Sequence, residues 1–155
     1  MNELPCHIPK IVLQVVCEGY IESLTRRISC AADINQLLAP YFAPKDREEF
    51  VGLYLDAKNG LVAFHTISIG SLTHTIVHPR EVFKAAIVVN ASAIIIAHNH
   101  PSGDPTPSQE DRLLTSRLES AGSLMGMRLL DHVVFGRGRY VSFSDQGWMN
   151  VVTNQ

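Results

Sequence analysis

The chain is poor in the residues that staple or strongly charge a small protein. Its three cysteines, Cys6, Cys17 and Cys30, are odd in number and follow no Cys-x-x-Cys spacing. That pattern argues against a disulfide framework or a cysteine zinc site, and it reads as reduced thiols in a cytoplasmic protein. Charged residues make up only 18% of the sequence and the net charge is −2, so general attraction to phosphate backbones is not expected as the main activity. Apolar runs are interrupted well short of a membrane span, and the N-terminus lacks the basic-then-apolar order of a secretory signal. Internal repeats and low-complexity tracts are absent as well. What is present is a chain of 155 residues, long enough to close one hydrophobic core without staples.

Residues 1–28 read as an N-terminal extension of unassigned role. Pro5 and Pro9 break its start, Ile8 to Val16 fits a strand or a short helix, and Arg26-Arg27 reads as a solvated pair. A domain is expected over 29–150, followed by a short tail, 151–155. Ser29 to Phe42 has helical spacing, with Ile34, Leu37 and Leu38 on one face and Pro40 limiting the run. Phe50 to Asp56 and Leu61 to Ile69 read as two strands joined by a hairpin turn at Lys58-Asn59-Gly60. His78-Pro79-Arg80-Glu81 opens a helix that places Val82, Ala86 and Val89 at core spacing. A buried strand, Ala91 to Ala97, follows. A further helix starts at Ser108 and carries Leu113, Leu114, Leu118 and Ala121. Two more strands are expected at Arg128 to Phe135 and Arg139 to Phe143. This mixed order predicts an α/β sandwich around a central mixed β-sheet flanked by helices.

The chemistry concentrates between the third strand and the third helix, in Ala97-His98-Asn99-His100-Pro101-Ser102-Gly103-Asp104-Pro105-Thr106-Pro107-Ser108-Gln109-Glu110-Asp111. Histidines at i and i+2 on an extended chain point to the same side. The Pro- and Gly-rich stretch after them must turn. Ser108 as N-cap fixes the first turn of the next helix, and side chains there tilt back toward its N-terminus, which aims Asp111 at the histidine pair. Two imidazoles and a carboxylate form a three-ligand set for zinc with an open position. Of the remaining acids, Asp104 reads as a turn residue and Glu110 as a solvated first-turn acid. Asp131-His132 is a rival metal candidate, but neighbours on a strand face opposite sides, so His132 is taken as a strand-start residue away from the metal. His74 and His78 are taken as surface or capping residues.

The pattern His98-x-His100, seven residues, Ser108-x-x-Asp111 resembles the JAMM motif of MPN/JAB-domain metalloproteins. The string His-Asn-His-Pro-Ser-Gly-Asp-Pro-Thr-Pro-Ser is similar to the RadC-like branch, and the likeness extends from Val77-His78-Pro79-Arg80-Glu81-Val82-Phe83 to about Gly147. The resemblance implies an MPN/JAB-like (cytidine-deaminase-like) fold and a Zn2+ cofactor held by His98, His100 and Asp111. It also implies hydrolysis of an amide or isopeptide bond in an unidentified peptide or protein substrate. In that family Ser108 would hydrogen-bond the oxyanion or the activated water. RadC-like proteins usually carry an upstream helix-hairpin-helix module, and no segment here resembles its glycine-containing hairpins.

Such hydrolysis needs a base, which in the family is a glutamate five residues before a strand-ending glycine. Here that glycine matches Gly70 and the position is His65, in Phe64-His65-Thr66-Ile67-Ser68-Ile69-Gly70, with no acid between Asp56 and Glu81. Three placements stay open for His65: a weaker base on the water, a direct fourth ligand, or the far side of its strand. Two alternatives to catalysis follow, a zinc-stabilised MPN scaffold that binds partners, and a DNA-repair accessory role associated with the family name.

Overall fold

A computed structural model describes residues 7–70 and 77–150. The elements run α1 (Ala31–Phe42), β1 (Glu49–Leu55), β2 (Leu61–Ile69), α2 (Pro79–Val88), β3 (Ala93–Asn99), α3 (Gln109–Leu124), β4 (Arg128–Phe135) and β5 (Tyr140–Ser142). The strands form one five-stranded sheet in the order β2-β1-β3-β4-β5. Every pairing is antiparallel except β3 with β4. Parallel neighbours need a crossover, and α3 provides it. The predicted α/β sandwich with a mixed sheet between helices is what the chain forms.

The central strands β1 and β3 are buried along their whole lengths, as expected of strands covered on both faces. Val51, Leu53, Ile95, Ala97, Val133 and Phe135 meet Ile34, Leu38 and Phe42 of α1 on one face. Phe50, Tyr54, Ile94 and Ile96 meet Val82 and Phe83 of α2 and Leu118 of α3 on the other. The β1–β2 turn holds Asn59 at a φ of 60°. The Asp56 carboxylate there accepts from Lys58 N and Gly60 N, both at 2.8 Å.

Four expectations shift. Residues 7–29 carry no helix or strand, only a bridge from Arg27 to Gly60. Helix α1 starts at Ala31, two residues later than expected, and passes through Pro40 to the expected end at Phe42, where Phe42 packs on Phe135 at 5.0 Å and Tyr41 donates to Glu49. Strand β3 starts and ends two residues later than expected, since Asn90 turns at a φ of 53°. Leu113 is 59% exposed. Helix α3 instead buries Thr115, Leu118, Glu119 and Gly122, and at 100° per residue Leu113 lies opposite that face.

One irregularity bears on the site. Ile94 pairs with Leu129, yet Ile95 pairs with Asp131, so Leu130 is an extra residue in β4. A one-residue slip moves every later side chain to the other face. It brings His132 onto the face of Ile96 and His98, and sends Asp131 to the α1 side.

The loop after β3 lies against the β4–β5 turn, where Arg137 N donates to Gly103 O. A Cβ on Gly136 would run into Gly103 O and stand 2.6 Å from Pro105 Cδ. Gly136→Ala is therefore expected to cost about 1–3 kcal/mol through overpacking, read as a lowered urea midpoint. A midpoint equal to that of the unaltered protein would show that the loop is not pressed against this turn.

Candidate metal centre

His98, near the end of β3, is fully buried. Phe50, its partner across β1, stacks on its ring at 5.6 Å with 14° between planes. Asn99 points to the opposite face, where its Oδ1 accepts from Glu49 N at 2.8 Å and its amide donates to Arg47 O at 2.9 Å. That clip fixes the strand end from which both imidazoles project. His100 is the first residue beyond β3, and its N–H donates to Phe135 O at 2.8 Å. Its ring Nδ1 lies 2.7 Å from Asp104 O. A carbonyl only accepts, so Nδ1 donates and Nε2 is the atom turned to His98.

Helix α3 delivers the third group. Ser108 is its N-cap: Ser108 Oγ accepts from Asp111 N at 3.1 Å, and Asp111 Oδ2 accepts from Ser108 N at 2.7 Å. This reciprocal pair satisfies two otherwise free helix donors and orients the carboxylate. His98 Nε2 stands 3.0 Å from His100 Nε2 and 3.3 Å from Asp111 Oδ1, and His100 Nε2 lies 3.6 Å from Asp111 Oδ2. A tetrahedral ion with bonds of about 2.0–2.1 Å has ligand–ligand edges of about 3.3–3.4 Å. The three side chains approach that spacing, a different Asp111 oxygen being nearest each imidazole, and they are the group of metal-binding character found among the described residues.

The electrostatics favour added positive charge. Burial would raise the Asp111 carboxyl, but the His100 and His98 imidazoles beside it and the hydrogen bond from Ser108 N–H hold it well below the usual carboxylate range. The same carboxylate, against the opposing effect of burial, raises the His100 imidazole above its ordinary value.

His132 is the residue the sequence reading misplaced. It is the fifth residue of β4 rather than its start, it is fully buried, and its Nε2 lies 2.9 Å from His98 Nδ1. The β4 bulge puts it there. It touches His98 without joining the cluster of His98, His100 and Asp111, and burial drives its pKa well down. Its Nδ1 meets Thr115 Oγ1 at 2.7 Å, and Phe143 stacks on its ring at 4.8 Å. Thr115 was missed altogether; its one sequence signal is its place four residues after Asp111, on the same helix face. Asp131 faces away as alternation requires, accepting from Ser142 Oγ, Ser144 N and His132 N.

His65 stands apart from the cluster of His98, His100 and Asp111. It pairs with Gly52, whose other neighbour is Ile96, so it lies two strands from β3, about 9–10 Å between backbones. Like Ala63 and Ile67 it belongs to the sheet face of His98, and its side chain is exposed. His78 caps α2, its Nδ1 accepting from Arg80 N at 3.1 Å. Asp104 is a turn residue that accepts from Thr106, and Glu110 is exposed. Cys6 and His74 lie outside the described residues.

A mixed sheet between helices, with a His-x-His strand end facing a helix-borne carboxylate, is the arrangement of a JAB-type domain. The chain belongs to the RadC-like JAB domain family, whose model matches residues 28–148. It is 46% identical over 132 residues to a UPF0758 protein of Methanosarcina mazei, covering 85% of this chain and 58% of the relative. A UPF0758 protein of Caldanaerobacter subterraneus is 50% identical over 121 residues, 78% of this chain and 52% of its own. One of Syntrophomonas wolfei is 56% identical over 102 residues, 66% of this chain and 43% of its own. The chain thus spans about half the length of the curated relatives it matches. JAB domains typically bind a metal, in keeping with the clustered His98, His100 and Asp111. No helix among the described residues is long and apolar enough to cross a membrane.

Removing the cap isolates its share of stability from its chemistry. Ser108→Ala is expected to cost about 1 kcal/mol of stability, while Ser108→Thr keeps most of it. Metal-free thermal melts of both variants check this, and equal losses would show that the hydroxyl does not hold the helix start.

Proposed function

We propose that this protein is a zinc-dependent hydrolase of amide or isopeptide bonds, acting on a peptide or protein. The observation that carries this reading is the convergence of His98 Nε2, His100 Nε2 and Asp111 at 3.0–3.6 Å from one another. When bound, zinc supplies Lewis acidity that polarises a carbonyl and makes water acidic near neutral pH. His98 and His100 contribute neutral nitrogens, and Asp111 the charge that offsets the cation. Ser108 accepts from Asp111 N and keeps its own hydroxyl hydrogen, so it can donate to a developing oxyanion. His65 projects from the same sheet face and is solvent-accessible, and a neutral imidazole can take the water proton and pass it to the leaving amine.

A second reading, a zinc-holding scaffold without hydrolysis, draws on the position of His65 on an edge strand, outside the ligand cluster. Cleavage assays separate the two. Purified protein is expected to carry about one zinc per chain, lost in His98→Ala and in His100→Ala. Unchanged zinc in both variants would overturn the ligand assignment. Chelation is expected to lower the melting temperature by mass action while leaving native circular dichroism at room temperature.

For the chemistry, His65→Glu is expected to raise zinc-dependent cleavage of peptide and isopeptide substrates at least tenfold over the unaltered protein, with His98→Ala inactive. Cleavage by the unaltered protein that survives His65→Ala would place the base elsewhere. Zinc binding with no cleavage in any variant would favour the scaffold.

A further inference from the structure

Behind the three ligands lies a closed circuit of hydrogen bonds whose direction can be worked out atom by atom. Thr115 Oγ1 lies 2.7 Å from Asp111 O and 2.7 Å from His132 Nδ1. The carbonyl can only accept, and the hydroxyl has one hydrogen, so Thr115 donates to Asp111 O. Thr115 Oγ1 must then accept, and His132 Nδ1 carries the hydrogen that it accepts. His132 is fully buried between β4 and α3, with Phe143 stacked on its ring and Phe50 edge-on at 5.7 Å. A second proton there would bury a charge away from water, so His132 Nε2 is bare. Its neighbour at 2.9 Å is His98 Nδ1, which therefore donates. A neutral imidazole protonated at Nδ1 is bare at Nε2, and His98 Nε2 is the atom facing His100 and Asp111.

We propose that Thr115 and His132 are positioning residues that let the backbone carbonyl of Asp111 dictate the tautomer of His98. One turn of α3 then supplies two ligands together: the Asp111 carboxylate directly, and the His98 lone pair through the relay. Either link removed, His98 is free to place its hydrogen on Nε2 and close its ligating position. The inference rests on the reading of His98, His100 and Asp111 as metal ligands, and it concerns how tightly they hold the ion rather than which bond is cleaved.

The test uses the full chain with 15N-labelled histidine. Long-range 1H–15N correlation spectra of the metal-free protein at mildly alkaline pH are expected to show His98 protonated at Nδ1 and bare at Nε2. In Thr115→Val, His98 is expected to distribute over both tautomers. Zinc affinity of that variant, measured by competition with a chromogenic chelator, should fall about ten- to hundredfold. Thr115→Ser, which keeps the hydroxyl, should restore both readouts; a variant that merely loosened packing would not be rescued in the tautomer. An Nε2-protonated His98 in the unaltered metal-free protein would overturn the proposal. So would a Thr115→Val variant with unchanged tautomer and unchanged affinity. A protein that binds no zinc would refute the ligand reading, while the tautomer measured without metal would still decide the relay.

Discussion

A fully buried imidazole at the centre of a sheet must have partners for both of its nitrogens. Leaving one without a partner costs about 1–3 kcal/mol. His98 is in that position, enclosed by Phe50 on one side and His132 on the other. Its Nδ1 needs a buried acceptor, and the acceptor must itself be held. That requirement draws in β4, which supplies His132, and α3, which supplies Thr115. The bulge at Leu130 serves it too, since a regular β4 would have turned Asp131 onto this face in place of His132. Burial of one histidine thus ties three elements to a common register.

The first turn of α3 serves fold and site through the same atoms. Asp111 closes the capping box with Ser108, and its two oxygens also face His98 and His100. A helix end that must be capped anyway therefore presents its acid at a fixed angle to the strand end. The loop between them carries Pro101, Pro105 and Pro107, whose fixed φ reduces the conformational freedom lost on ordering. Its contact with Gly136 and Arg137 anchors the loop from outside. Groups held this way need little rearrangement on binding an ion, which is what preorganisation means in energetic terms.

Membership of the RadC-like JAB domain family accounts for the sheet, the His-x-His strand end and the helix-borne carboxylate. Where the family resemblance leads to the expectation of a glutamate, this chain has His65. Edge strand β2 is where such a departure is least constrained by packing. Its side chains are half-buried or exposed, whereas β1 and β3 have no exposed position. A residue there can change its chemistry without disturbing the core that holds His98, His100 and Asp111.

Much of this was legible in the residues themselves. Local rules act over a few positions, so the hairpin at Asn59-Gly60, the caps at His78 and Ser108, and the spacing of His98, His100 and Asp111 needed no knowledge of distant contacts. Apolar periodicity likewise placed the sheet between helices. What the sequence could not determine depends on pairing across the fold. The extra residue in β4 is invisible until β3 lies beside it, and that single slip decides whether His132 or Asp131 meets His98. Thr115 reads as an unremarked polar residue until its helix packs against β4. Leu113 looks like core by composition, yet the angle at which α3 docks leaves it in water. Short-range stereochemistry is written along the chain, whereas register and docking arise from many weak contacts between segments far apart in sequence, so only the folded structure decides them.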